Sequence, residues 1–313
     1  MKVLPQSALP LQISSVQPRA ILCIRKVVSW ENIKIILKRF IRQEILYWLA
    51  AKIRMRTRKN LRFTVYLTYH CNLNCARCSV FSPVAKEEYL DSVCYEQDCK
   101  RLSELTKGKA KRIWLVGGEP TLHPNLLAFF DITRQHFKDA VIQLITNGIL
   151  LSKQNDGFWE MCAQKNIVIQ ISQYPIKIDM DKILEKAKSY NVAIELTEIK
   201  SDEMFQLKLD TEGKQNAVNS FNNCWIKNSC ITLSHGKLYT CSTIPAAVHF
   251  SHFFNKELSF TENDGIDIYK TRTIREILKF LSKPVGFCRY CNVKSMSYGH
   301  KWHISKKDIE EWT

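Results

Sequence analysis

From Leu61 onward, short β-branched and aromatic runs alternate with segments of helical period, five times in succession, and few folds satisfy that order. The runs predict strands near 62–68, 112–117, 141–146, 167–173 and 192–198, with helices near 91–106, 124–137, 153–165 and 180–190 between them. Strand, helix and strand repeated in this way imply parallel strands with right-handed crossovers, the α/β class. A sixth strand is expected near Met204 to Leu209, where the alternation is weaker. From Ser220 the pattern changes to short cysteine-rich elements, with a hairpin over Ile231 to Cys241 turning near His235-Gly236 and a helix near 273–282.

Composition narrows the class further. With 313 residues, 45% hydrophobic and 24% charged, the chain can bury a sizeable core without crosslinks. Its longest apolar run, Ile45 to Ala51, is far too short to span a bilayer. One lysine, then Pro5 and Pro10 in a weakly apolar stretch, with charges back at Arg19, Arg25 and Lys26, do not make a signal peptide, so a cytoplasmic protein is expected.

Net charge is +16, of which residues 1–60 hold +11, from 13 Lys/Arg against two Glu. Between Trp30 and Ile53, Ile33, Ile36, Leu37, Phe40, Ile41, Ile45, Trp48 and Leu49 form an apolar stripe with basic residues on the other faces. This basic amphipathic helix is expected to pack on the main domain or a partner chain, or to make a peripheral membrane contact through residues 30–56 at anionic lipid. No nucleic-acid motif accompanies the charge, so no nucleic-acid partner is expected. The expected organisation is a basic extension over 1–60, an α/β domain over 61–215 and a cysteine-rich region over 216–313.

Twelve cysteines in a reducing compartment point to metal ligands or catalysts before disulfides. Cys71, Cys75 and Cys78 fall within eight residues on the loop leaving the first strand. Three thiolates can hold three irons of a [4Fe–4S] cube and leave the fourth open, whereas a closed electron-transfer cluster takes four. A zinc site is the alternative, but its ligands usually come as pairs from separate segments. The second strand runs into Gly117-Gly118-Glu119-Pro120 and the third into Thr146-Asn147-Gly148.

C-x₃-C-x₂-C, GGEP and TNG, in this order at the C-terminal ends of successive strands, resemble the radical S-adenosylmethionine (SAM) enzymes over roughly residues 62–200. The resemblance implies a partial (β/α)₆ barrel of TIM type, a cube on Cys71, Cys75 and Cys78, and SAM chelating the open iron. It also implies one-electron cleavage to a 5′-deoxyadenosyl radical, fed by a flavodoxin- or ferredoxin-type reductant. Glu119 is then expected to pair with the methionine ammonium, with Gly117 and Gly118 allowing close backbone approach, and Asn147 and Ser172 to contact the nucleoside. Two departures stand out. Arg77 occupies a position that is usually aromatic, and Ile171-Ser-Gln-Tyr-Pro175 replaces the usual glycine-bearing end of the fourth strand.

Cys224, then Gly236 and Cys241, then Cys288-Arg-Tyr-Cys291, are similar to the shortened SPASM-like region called twitch, in which four cysteines hold an auxiliary cluster. A Cys₄ zinc site is the alternative, and Cys230 could replace Cys224 as a ligand; otherwise it is a spare thiol near the substrate. Cys23, Cys94, Cys99 and Cys162 are expected to be small buried hydrophobes. His70 and His123 flank the first two motifs and suit packing or capping as well as ligand contact, and Asp308, three residues after Ser305, resembles a helix cap. An auxiliary cluster suits an oxidation, because it can take the electron left after hydrogen abstraction. Oxidation of a small molecule or sugar is therefore expected. The alternatives are a ribosomal-peptide maturase with a separate leader-binding partner, since the first 60 residues show no such domain, and a non-catalytic iron–sulfur protein.

Overall fold

Five strands and four helices form where the pattern places them, in a computed structural model that describes residues 61–197 and 204–313. The basic extension, Cys23 and the helix expected over 30–53 lie outside the described residues. Strands β1 (Arg62–Tyr66), β2 (Arg112–Val116), β3 (Val141–Thr146), β4 (Ile167–Ser172) and β5 (Ile194–Thr197) alternate with helices α1 (Ser92–Thr106), α2 (Leu126–His136), α3 (Asp156–Gln164) and α4 (Met180–Ser189). Three of these helices start where a short polar side chain takes up a free backbone N–H. Asp91 accepts from Cys94 N at 2.8 Å, Asn155 from Phe158 N at 3.0 Å and Asp179 from Lys182 N at 3.2 Å.

The five strands lie in chain order and all pair in parallel. Their period of two divides the sheet into unlike faces. Phe63, Val65, Ile113, Leu115, Ile142, Leu144, Ile169 and Ile171 are buried, in one core with Leu102, Phe129, Phe130, Phe158, Trp159 and Ile183 of the helices. Each such side chain contributes roughly 1.5–3 kcal/mol when fully buried. Alternate positions carry Thr64, Tyr66, Trp114, Gln143, Gln170 and Ser172 on the opposite face. There Gln143 Oε1 accepts from Arg112 and from the Trp114 indole at 3.0 and 2.8 Å, and its amide donates to Glu195 at 2.5 Å. A closed barrel fills its interior with branched apolar side chains; this face mixes those polar groups with Val116, Ile145 and Val168, and the sheet is open.

The expected sixth strand forms, as β6 (Met204–Gln206), but outside the main sheet. It pairs antiparallel with β10 (Ser297–His300). The Gln206 amide donates to the carbonyls of Glu310 and Glu311 at 3.4 and 3.2 Å, and Leu209 N donates to Trp312 O at 2.6 Å, so this segment is committed to the C-terminal tail. The edge of β1 is taken instead by β7 (Ile231–Ser234), parallel to it, followed by antiparallel β8 (Lys237–Tyr239) and β9 (Gly265–Asp267). The sheet order is β5-β4-β3-β2-β1-β7-β8-β9.

The β7–β8 turn is at the expected place. His235 and Gly236 both have positive φ, 47° and 71°, as a two-residue type I′ hairpin requires. Gly236 N then donates to Asp98 Oδ2 at 2.9 Å, and the Tyr269 hydroxyl to Asp98 Oδ1 at 2.7 Å, which fastens the hairpin to α1. Two further helices, α5 (Ala217–Asn223) and α6 (Thr243–Phe254), precede the expected α7 (Ile274–Leu281). The regions expected at 61–215 and 216–313 thus share one sheet, and both fall within one unit, Met55–Thr313. Among the described residues no helix is long and apolar enough to cross a membrane.

Candidate active site and cluster sites

The loops at the C-terminal ends of β1, β2, β3 and β4 converge on one cavity of about 420 Å³. Cys71, Cys75 and Cys78, Gly117, Gly118 and Glu119, Asn147, and Ser172 all line it. The glycines are required where the β2 loop touches the cysteine loop: a Cβ on Gly118 would sit 2.2 Å from His70 O, and one on Gly117 2.8 Å from Thr68 O. Gly118 N donates to Thr68 O at 2.8 Å and Glu119 N to His70 O at 2.9 Å. Their demand for close backbone approach is therefore met by the chain itself.

Glu119 is wholly buried, and four donors hold its carboxylate. Oε1 accepts from Thr121 N at 3.1 Å, Thr121 Oγ1 at 2.5 Å and Thr146 Oγ1 at 2.6 Å; Oε2 accepts from Asn147 N alone, at 2.8 Å. Burial raises its pKa, against the opposing pull of these donors. One side chain thus locks the GGEP loop to the TNG loop, with Oε2 the less occupied oxygen. The Asn147 amide continues the chain of contacts, donating to Asn72 Oδ1 at 2.8 Å while its Oδ1 accepts from Ile149 N at 3.0 Å.

Burial pushes the Cys71 and Cys75 thiols up, to about 11 and about 12. Such thiols stay protonated unless a cation is supplied, and a metal does so directly. Three cavity-lining groups have buried polar atoms without a protein partner: Thr64 Oγ1, Arg77 Nε and Ser82 Oγ. The donor set and these orphaned atoms fit an iron-bound polar ligand such as SAM. Arg77, at the position where an aromatic residue is usual, adopts φ 60° and lines the cavity with its neighbours Cys75 and Cys78.

A second, smaller cavity is lined by Cys224, Cys241, Cys288 and Cys291. Cys224 follows α5, Cys241 follows β8, and the last two lie on and just after the 3₁₀ turn Gly286–Tyr290. Phe221, Ile244 and Phe287 supply apolar walls, and Lys227 is the cation among the lining residues. The Lys227 ammonium donates to Phe221 O and Asn222 O, both at 2.7 Å. Ser220 Oγ donates to Cys291 O at 2.9 Å and Leu209 bridges Cys291, so α5 and the segment after β6 hold the C-x₂-C turn. Burial pushes Cys241 up to about 12 and raises Cys288 and Cys291 as well. Among the described residues no three Cys, His, Asp or Glu side chains converge on one point as ligands of a single ion do; the thiols ring a cavity instead.

Cys230 stands apart from that set and lines the first cavity, beside Thr64, Tyr66 and Trp114. The register shows how far along the sheet that cavity reaches. Phe63 at the start of β1 pairs with Ile231 at the start of β7, so Cys230 lies at the N-terminal end of the parallel strands. β8 runs back to that end and delivers Cys241 there, whereas Cys71, Cys75 and Cys78 follow the C-terminal end of β1.

The remaining residues singled out in the sequence separate clearly. His123 is 7% exposed, with its Nε2 against Leu90 O at 2.9 Å and Nδ1 accepting from Asn125 N at 3.0 Å, a capping role. Cys99 and Cys162 are buried, but Cys94 is exposed, because it lies in the first turn of α1 on the side away from the sheet. Asp308 begins a 3₁₀ turn without a side-chain cap; Ser305 Oγ donates instead to Glu311 Oε2 at 2.6 Å. Residues that sequence reasoning did not select also border the first thiol set. Tyr174 lines the cavity, Trp302 donates to Cys75 Sγ at 3.1 Å and Trp312 to Cys78 O at 2.8 Å. Tyr174 adjoins the unusual end of β4, whereas neither tryptophan carries a local signal.

No family model matches the chain. It is 33% identical over 108 residues to the antilisterial bacteriocin subtilosin biosynthesis protein AlbA of Bacillus subtilis (strain 168), covering 34% of this chain and 23% of that protein. It is 35% identical over 92 residues to the GTP 3′,8-cyclase of Aliarcobacter butzleri (strain RM4018), covering 28% of each. A solved structure of BtrN in complex with AdoMet and 2-DOIA matches with a TM-score of 0.48 and 17% identity, over 74% of this chain and 93% of that one. The chain spans about a quarter of the length of the curated relatives it matches. The relatives it matches over these stretches are radical SAM enzymes, the family that its cysteine, GGEP and TNG motifs resemble.

Proposed function

We propose that this protein cleaves SAM reductively and removes a hydrogen atom from an unactivated carbon of a small molecule or sugar, which leaves oxidised by two electrons. Supporting this is a cavity that runs from the first thiol set toward the end of the sheet where the second set lines a cavity of its own. The cavity begins at Cys71, Cys75 and Cys78 and reaches Thr64 and Cys230, at the end of the sheet where Cys241 and its partners gather.

In this reading Cys71, Cys75 and Cys78 hold one [4Fe–4S] cube, and Cys224, Cys241, Cys288 and Cys291 hold an auxiliary one in a twitch-like region. When bound, the clusters supply one-electron chemistry, the first reducing the sulfonium of SAM and the second accepting the electron that remains after hydrogen abstraction and loss of a proton. Glu119 Oε2 accepts from the methionine ammonium, and Gly117 and Gly118 set the height of the loop that presents it. Asn147 and Ser172 border the nucleoside. The cavity's far end, with Thr64, Tyr66, Trp114 and Cys230, takes the substrate, and a flavodoxin- or ferredoxin-type protein supplies the reducing electron.

The test is anaerobic reconstitution followed by incubation with SAM and a reductant. Release of 5′-deoxyadenosine is expected, with none from the protein carrying Cys71→Ala, Cys75→Ala and Cys78→Ala together; release by that variant overturns the reading. A second reading, a ribosomal-peptide maturase working with a leader-binding partner, is favoured by the match to a bacteriocin biosynthesis protein. Deuterium transfer into 5′-deoxyadenosine from labelled cyclitols and sugars, or from a precursor peptide, separates the two.

A further inference from the structure

The C-terminal tail lies along the first cysteine loop as a short strap. Ile304 forms an antiparallel bridge with Cys75, Ala76 N donates to His303 O at 3.0 Å and Ser305 N to Asn74 O at 2.8 Å. The strap is pinned behind by Glu311, which is 8% exposed and accepts from Ser305 Oγ at 2.6 Å and Lys306 N at 2.7 Å. These contacts aim one side chain at the loop's sulfur. The Trp302 indole N–H donates to Cys75 Sγ at 3.1 Å, and its ring packs into the small apolar cluster formed with Cys71, Leu73, Cys75, Tyr174 and Ile176.

We propose that Trp302 is a positioning residue that sets the reduction potential of the cluster held by Cys71, Cys75 and Cys78, through its hydrogen bond to the Cys75 sulfur. The proposal rests on the reading that these three cysteines hold a cube. An indole N–H is a donor only, so the bond has one polarity. A donor aimed at a cluster sulfur offsets negative charge, and the reduced cluster carries one more negative charge than the oxidised one. The bond therefore favours reduction, and hydrogen bonds to the sulfurs are among the main determinants of such potentials. The ring acts in the opposite sense by keeping water from the same sulfur, since burial disfavours added charge. Trp302→Phe separates the two effects, because it keeps an aromatic wall and removes only the donor.

The experiment is a redox titration of reconstituted protein followed by electron paramagnetic resonance, with the first cluster identified by the change in its signal when SAM is added. Trp302→Phe is expected to retain the iron of that site and to shift its reduction equilibrium about tenfold toward the oxidised state, ~59 mV more negative for one electron. Trp302→His, whose ring can donate, is expected to recover part of the shift. A Phe variant with full iron and the wild-type potential overturns the proposal. Should that variant lose iron, the bond is read in the wild-type protein. Pulsed resonance on the reduced cluster with nitrogen-15 indole-labelled tryptophan is expected to show a nitrogen coupling, and its absence overturns the proposal too. Wild-type protein that makes 5′-deoxyadenosine while Trp302→Phe keeps the wild-type potential refutes this inference alone; protein that binds no iron through Cys71, Cys75 and Cys78 refutes the parent reading with it.

Discussion

Glu119→Gln tests the join between the GGEP and TNG loops without changing the size of the side chain. In the wild type both carboxylate oxygens only accept, and four donors point at them. Glutamine has one accepting oxygen. The better of its two orientations keeps that oxygen toward Thr121 and Thr146 and turns the amide NH₂ toward Asn147 N, leaving a buried backbone N–H facing another donor. Such an unmet group costs about 1–3 kcal/mol, and the three remaining bonds lose their charge assistance. In a region of this size that lowers Tm by about 2–12 °C.

The cost has a pH signature. The folded-state pKa of Glu119 is raised above 4.5 by burial, so the folded protein holds this proton more tightly than the unfolded chain does. Stability from this group therefore falls as pH rises from about 4.5 through the raised value. The glutamine variant lacks that slope, so the Tm gap between the two proteins narrows as pH rises through the same window. Differential scanning calorimetry of both proteins over that range measures it. Calorimetric titration with SAM of the reconstituted protein should show affinity weaker by about 1–3 kcal/mol, roughly 5–150-fold, with iron content unchanged. A variant with the wild-type Tm and SAM affinity would refute both the bracing role and the ammonium contact.

Gly118→Ala places a methyl group 2.2 Å from His70 O, against backbone that cannot step aside, so iron bound at the first thiol set is expected to fall sharply, as measured by iron analysis after reconstitution. Cys224→Ala should lose the about four irons of a cube from the second site, with its resonance, whereas Cys230→Ala keeps them; the reverse pattern reassigns the ligand. Native protein purified without oxygen that holds zinc and no iron in the second site would remove the electron acceptor and with it the argument for an oxidation. Asp98→Ala frees Gly236 N and the Tyr269 hydroxyl together, and urea unfolding should show a loss of about 1–3 kcal/mol; an unchanged midpoint means the hairpin does not depend on α1.

What the amino-acid order determined by itself is local. The strands and helices from β1 to β5 follow from hydrophobic period, the β7–β8 turn from a His-Gly pair that tolerates positive φ, and the candidate thiol triplet from spacing within one loop. These features depend on neighbours a few residues apart, and the chain carries them wherever it folds. Tertiary structure decided which edge β7 joins. Parallel pairing with β1 brings residue 231 beside residue 63, leaves β6 to the tail, and sends Cys230 to one cavity while Cys224 joins Cys241, Cys288 and Cys291 at another. The same holds for Glu119, whose donors come from two loops, and for Cys94, whose exposure depends on which side of α1 meets the sheet. Trp302 reaches Cys75 across 227 residues of chain. Contacts of that range leave no periodicity in the sequence, because they exist only once the intervening elements have packed and fixed the path of the backbone between them.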